Sequence, residues 1–266
     1  MSEMAEIVDL ETFVAKSTSF RYRGFAFRGL SNVAFNQVPS ILFDENLNFD
    51  SEAENYKAIF DFAKRKGIDG LSALQLARHY RFICRLTDYT LNPLIALFFA
   101  CSDKNNLKED AKIICFDLIR YNNEHPFVTN KGCTILNNDI VEILLDNLEY
   151  DVIAGSIDRE GEDLGCYSFK EPVVVLPIIE DRRISSQSGL FLLWADLTRQ
   201  EQTLSLLNGY STEIIIPAIC KDRIIKQLIE IGYKEETIYS ESIFVDDENI
   251  SFDKKISYLN SKYFIS

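Results

Sequence analysis

The sequence predicts an α+β fold, a single domain with a mixed or antiparallel sheet at its core and helices flanking it. Three observations carry this. Apolar runs of strand length recur far apart, at residues 25–28, 112–118, 173–179, 189–195 and 213–219, each closed by turn or charged residues. Stretches between them repeat apolar residues at the helical period. No internal repeat or low-complexity linker divides the 266 residues, and 47% of them are hydrophobic, enough for one large core.

Taken in order, residues 9–16 open on Asp9 and set Leu10, Phe13 and Val14 in the pattern of a short amphipathic helix. Residues 25–28 read as a strand ended by Gly29, so Arg28 stands at a strand end beside a residue that lets a ligand approach the backbone. Residues 39–43 form a short apolar link. Ser51 and Glu54 make a capping box ahead of Tyr56, Ile59, Phe60 and Ala63, with Gly67 as a stop, and Ser72 and Gln75 make a second one. Residues 104–110 read as a charged turn and 122–133 as a polar loop around Pro126. A helix is expected over 138–148, and an exposed loop over 155–165. Residues 195–213 hold a polar helix or loop. A helix beginning at Asp222 buries Ile225, Leu228 and Ile229 and stops at Gly232, and a C-terminal helix over 251–264 ends the chain.

Residues 71–102 pack charged and polar side chains most densely among residues that must be buried. They hold His79, Arg85, Thr87, Asp88 and Thr90, then Asn92 as a helix cap and Pro93 in the first turn of an apolar helix that places Leu94, Leu97, Phe98 and Cys101 at helical spacing. Buried arginine, aspartate and threonine are costly unless paired or put to use, so this segment is a structural knot or the floor of a site.

The net charge of −13 argues against a nucleic-acid or anionic-membrane surface, which needs clustered lysine and arginine. The cysteines show no CxxC spacing and no metal-like pairing with His79 or His125, so they read as small apolar side chains in a reducing compartment, and no metal is expected. The acidic start lacks an apolar secretory core, and no apolar run approaches a membrane span, which leads to the expectation of a cytoplasmic protein. A GxGxxG turn, a GxxxxGK[ST] loop, HExxH and GxSxG are all missing from the sequence. That argues against dinucleotide-dependent hydride transfer, P-loop hydrolysis, a zincin and an α/β-hydrolase.

Phe27-Arg28-Gly29, the block HYRFICRLTDYTLNPLIALFFAC at residues 79–101, the block RISSQSGLF at 183–191, Ile214-Ile215-Ile216-Pro217 and Ile231-Gly232-Tyr233 together resemble the FRG domain family, in order, over roughly residues 20–242. Where the family pattern carries Gly, Pro and Thr, this sequence has Arg81, Ile83 and Cys84. The family is found largely in bacteria and phages, which implies a conflict or phage-defence setting. A weaker similarity is to ADP-ribosyltransferase folds, through Arg28, the 87–90 segment before Ala96 and Ala100, and Gln187 before the 190–193 run. It implies that a guanidinium holds the pyrophosphate or ribose of NAD, that a hydroxyl positions the nicotinamide ribose, and that Gln187 stabilises developing charge on that ribose.

The candidate residues keep two readings each. Gln187 and His79 stand as catalytic candidates; an amide orients and cannot take a proton, and a histidine is a base or a satisfied core residue. Arg28, Arg85, Thr87 and Thr90 are ligand-binding candidates; Arg85 also reads as a buried ion-pair partner of Asp88, and Thr90 as a hydrogen-bonding group at the helix entry. Asp88 and Asn92 are structural. Arg28, His79, Arg85, Thr90 and Gln187 are expected to line one concave pocket. Two functions follow. One is an enzyme that takes NAD or a related nucleotide as substrate, with no bound cofactor, and cleaves it or transfers ADP-ribose. The other is a non-catalytic module sensing a nucleotide-like small molecule or a protein partner.

Overall fold

In the computed structural model, residues 7–21, 24–43, 67, 78, 84–125, 171–175, 185–194, 197 and 199–239 are described. The strands are β1 (Phe25–Leu30), β2 (Leu86–Thr90), β3 (Ala111–Asp117), β4 (Val173–Val175), β5 (Gly189–Leu193) and β6 (Ser211–Ile216). They form one six-stranded sheet in the order β4-β5-β2-β1-β3-β6. All its pairings are antiparallel, so the α+β class holds with the antiparallel alternative realised. The helices are α1 (Leu10–Arg21), α2 (Pro93–Ser102), α3 (Leu118–Glu124), α4 (Gln200–Gly209), α5 (Ala218–Glu230) and the single turn α6 (Glu235–Ile238).

Strand alternation divides the core into two faces. On one, Phe27, Ile113, Cys115, Ile214 and Ile216 meet Phe13 of α1, Ala96, Leu97 and Ala100 of α2, and Ile224 and Leu228 of α5. On the other, Ala26, Tyr89, Phe116, Leu190, Leu192 and Trp194 meet Val38, Tyr121 of α3 and Leu207 of α4. Helix α2 starts at Asn92, whose Oδ1 accepts from the Leu94 amide at 3.0 Å and whose Nδ2 donates to the Tyr233 hydroxyl at 3.0 Å. It is buried on nearly every side, which explains why its sequence is apolar almost throughout.

Gly29 sets how closely α2 lies on β1. A β-carbon there would stand 1.8 Å from the Ala96 carbonyl oxygen and 2.9 Å from the Ala100 amide nitrogen, backbone atoms that cannot turn aside. Lys221 fastens the third helix of this layer. It is 1% exposed and donates to the carbonyls of Ser31 and Asn106, each at 2.7 Å, tying α5 to the exits of β1 and α2.

Several boundaries differ from the sequence reading. Strand β1 runs past Gly29 to Leu30, because the glycine serves the helix contact rather than a turn. Helix α1 continues to Arg21, and α3 occupies residues 118–124, capped by Asp117, whose side chain accepts from the Arg120 amide; the loop was expected to start at 122. Pro217 ends β6, so α5 begins four residues before Asp222 and its inward face rotates: Lys221, Ile224 and Leu228 are buried, and Ile229 is 48% exposed. The readings of residues 51–66, 72–77, 138–148, 155–165, 176–179 and 251–264 lie outside the described residues.

Gly29→Ala is expected to lower unfolding stability by about 3 kcal/mol in urea titration, since the methyl group meets backbone on two sides. Burial raises the thiols of Cys101 and Cys115, each pushed up to about 12 from 9.0. A raised folded-state value contributes stability that is complete below the unfolded value and lost as pH rises through the folded one. The urea midpoint should therefore fall between pH 9 and 12, and the Cys101→Ala/Cys115→Ala protein should show a shallower slope across that window.

Candidate functional site

The sheet is not equally continuous everywhere. β1 pairs with β3 from Phe25 to Leu30, and β2 pairs with β5 from Leu86 to Thr90. Between β1 and β2 the only registered pair is Phe27 opposite Thr90. Beyond it the two central strands separate, and a cavity of about 280 Å³ opens between them. Residues of both parities reach it for that reason: Phe27, Arg28 and Gly29 from β1, and Asp88, Tyr89 and Thr90 from β2. Gln187, Gly189 and Phe191 close one side; Phe99 of α2, Tyr239 after α6, and Arg78 complete the wall.

Arg28 spans the opening. Its Nη1 donates to the main-chain carbonyl of Asp88 at 2.6 Å, supplying the strand with a donor where the β1 ladder has left off. Asp88 Oδ2 lies 2.5 Å from Arg78 Nη2 and 3.9 Å from Arg28 Nη1. The arginine side chains are 15% and 17% exposed and that of Asp88 40%. Burial pulls the Arg28 guanidinium below its ordinary pKa, the Asp88 charge opposing and the Arg78 charge adding to the effect. Burial is also the largest influence on Arg78, but the charge of Asp88, Cys84 and the hydrogen bond to Asp88 together carry it above its ordinary value. Both groups remain cationic at any working pH. The Nε atoms of Arg28 and Arg78 are buried without a hydrogen-bond partner.

The aromatic wall is held in place by its own contacts. The Tyr89 hydroxyl donates to Gln37 Oε1 at 2.6 Å, and burial pushes that phenol up, so it stays neutral. Phe99 and Tyr239 meet edge to face at 6.0 Å. Two guanidinium groups among aromatic rings suit a ligand that joins an anion to a planar ring.

Of the residues expected to converge, Arg28, Thr90 and Gln187 line the cavity. His79 lies outside the described residues. Arg85 and Thr87 are fully buried and do not line the cavity. Both side chains are closed off within the core, so neither presents an atom to the cavity, which corrects their reading as ligand contacts. The Asp88 carboxylate lies against Arg78 and, at longer range, Arg28.

Thr90 and Gln187 form the joint between β2 and β5. Thr90 Oγ1 donates to the Gln187 carbonyl at 2.6 Å and accepts from the Asn92 amide at 3.0 Å, so the hydroxyl is occupied at the helix entry. Ser188 adopts a left-handed conformation, φ 47°, and its carbonyl accepts from the Leu91 amide. Gln187 Nε2 and Ser186 Oγ both donate to the Ile238 carbonyl at 3.1 Å, pinning α6 and bringing Tyr239 to the cavity. That leaves Oε1 and the second Nε2 hydrogen of Gln187 with hydrogen-bonding capacity toward a ligand. Arg78, Phe99, Phe191 and Tyr239 were not singled out in the sequence. The one available signal was charge balance, because Arg78, Arg81 and Arg85 crowd around a single Asp88.

Thr90→Val is expected to cost about 2 kcal/mol of stability, since the buried Gln187 carbonyl loses its donor and the Asn92 amide its acceptor. Urea unfolding measures this. A stable variant with weakened ligand binding would reassign the hydroxyl to the ligand.

Among the described residues no cluster of His, Cys, Asp and Glu is arranged to hold a metal ion. No curated protein and no solved structure matches the chain. Residues 23–109 match the family model of the FRG domain, a stretch that takes in Phe27-Arg28-Gly29, Asp88, Thr90 and α2 and ends before β3 and Gln187. The chain carries an FRG domain at residues 23–109.

Proposed function

We propose that the chain binds NAD or a related nucleotide in the cavity between β1 and β2. The observation that carries this reading is the pair of largely buried arginines whose Nε donors lack partners, set among Phe27, Tyr89, Phe99, Phe191 and Tyr239. Buried donors of this kind call for an acceptor, and a phosphate group offers several. At about 280 Å³ the cavity is just below the usual range of about 300–1,000 Å³, so it would enclose part of a dinucleotide and leave the rest along the rim.

In the catalytic form of this reading, water or an acceptor group replaces nicotinamide at the ribose C1′ of NAD. With water the products are ADP-ribose, nicotinamide and a proton. Arg28 and Arg78 would hold the pyrophosphate, and Gln187 Oε1 would face the positive charge that develops on the ribose. The setting is bacterial or phage conflict in the cytoplasm, with a protein as acceptor or trigger. Among the described residues no helix is long and apolar enough to cross a membrane.

A sensor without chemistry is the second reading. It is favoured by the commitments of the polar residues at the cavity: the Thr90 hydroxyl is engaged as donor and acceptor, and Gln187 Nε2 is engaged by Ile238. An amide accepts no proton in either case.

One set of measurements separates these readings. NAD and ADP-ribose should raise the melting temperature of the wild type. Arg28→Ala should weaken binding tenfold to more than a hundredfold, the equivalent of about 1.5–3 kcal/mol for a charge-assisted contact. Arg78→Ala, which leaves the Arg28–carbonyl bond intact, provides the same readout if Arg28→Ala unfolds. Nicotinamide release by the wild type, lost in Gln187→Ala, supports the enzyme; binding without release supports the sensor. No melting shift with either nucleotide would sink the nucleotide reading.

A further inference from the structure

Two guanidinium groups share one carboxylate in the cavity, and they share it unequally. Arg78 is hydrogen-bonded to Asp88 Oδ2 at 2.5 Å, while Arg28 stands 3.9 Å from the same oxygen. Arg28 directs its short bond to the main-chain carbonyl of residue 88, a contact independent of the side chain there. The Asp88 side chain is also the most exposed of the three groups, at 40% against 15% and 17%, so it is the one with room to move. Together the two arginines and one aspartate leave one net positive charge. A monoanion that displaced the carboxylate would exchange one negative charge for another and gain little. A diphosphate brings at least two charges and enough acceptor oxygens to engage both guanidinium forks at once.

Resting on the nucleotide reading of the cavity, we propose that Asp88 is a displaceable internal anion, which holds Arg28 and Arg78 apart from solvent until a diphosphate-bearing ligand takes them over. In the absence of ligand Asp88 screens two like charges from each other in a poorly hydrated space. When the ligand enters, the carboxylate must rotate outward, and its own charge opposes the incoming phosphate. The carboxylate is therefore a threshold, and removing its charge should strengthen anion binding. A purely structural aspartate predicts the reverse, because loss of its charge would loosen both arginines.

The test is isothermal titration of the wild type and Asp88→Asn with ADP-ribose, AMP and inorganic pyrophosphate at 0.1 M salt. Asparagine keeps the shape of the side chain and the carbonyl that Arg28 uses, and thermal melts of both proteins verify the fold. ADP-ribose and pyrophosphate should bind Asp88→Asn about tenfold tighter, the scale expected when one like charge about 5 Å from a phosphate is removed from a half-open site. AMP, whose phosphate monoester also carries close to two negative charges, should gain to a similar extent. In an Arg78→Gln background the gain from Asp88→Asn should shrink, because the shortest contact to the carboxylate is already gone. ADP-ribose binding that is unchanged or weaker in a folded Asp88→Asn protein overturns the displacement and leaves the nucleotide reading standing. Tighter pyrophosphate binding without nucleotide binding by either protein overturns the nucleotide reading and leaves the displacement standing. Binding of none of the three by either protein overturns both.

Discussion

The contact between Gly29 and the backbone of α2 is the constraint on which the site depends. With the Ala96 carbonyl 1.8 Å from where a β-carbon would lie, β1 and α2 meet main chain to main chain at Gly29. The consecutive residues of the Phe-Arg-Gly motif then have distinct tasks dictated by strand alternation. Phe27 fills the core beneath the helices, Gly29 admits α2, and Arg28 between them points to the other side and bridges to β2. Moving any of the three by one position would bury the guanidinium under the helix or drive a side chain into the Ala96 carbonyl.

Electrostatics within the cavity run against those of the whole chain. The protein carries −13, yet Arg28 and Arg78 make the space between β1 and β2 cationic. An acidic exterior repels anions at long range, and screening confines that repulsion to about 10 Å at 0.1 M salt. Selection of an anionic ligand therefore falls to short-range contacts inside the cavity. Lys221 shows the opposite use of a buried cation: burial pulls its pKa down, with nearby Asp103 and Asp110 opposing, and its hydrogen bonds all described here go to carbonyls that fix the layer of helices. The cations of the cavity keep Nε atoms with no partner, whereas the Lys221 ammonium is engaged twice.

Much of this was legible in the chain because it is local. Asn92 and Pro93 mark the start of α2, Gly29 marks a close approach, and the apolar runs at 112–118 and 189–195 give all but the first residue of β3 and the whole of β5. Where the reading failed, distant pairing decided the outcome. Asp88 stands in a segment that β5 pairs into a strand from Leu86, and its contacts with Arg78 and Arg28 come from ten and sixty residues away. Ile229 looks buried by periodicity, but Pro217 moved the start of α5 and Lys221 took the inward face. Tyr239 could not be assigned to the cavity from sequence, since what brings it there is a pair of side-chain bonds to the Ile238 carbonyl from residues some fifty positions earlier. Gln187 was found by its place in the chain order, and its commitment to that carbonyl became visible only in three dimensions.

The separation of β1 from β2 has a consequence for how the protein handles its strand edges. Exposed edges attract foreign strands, and soluble proteins guard them with charge, irregularity or cover. Here, beyond Phe27 and Thr90, the sheet has an edge in its interior, bordered by backbone groups that a continuous ladder would have joined to one another. An arginine, the kind of residue used as a gatekeeper on outer edges, stands in that gap and occupies the carbonyl of residue 88. A feature that would promote aggregation at the rim is, at the centre, walled in by the side chains of the cavity and open only to a molecule small enough to enter.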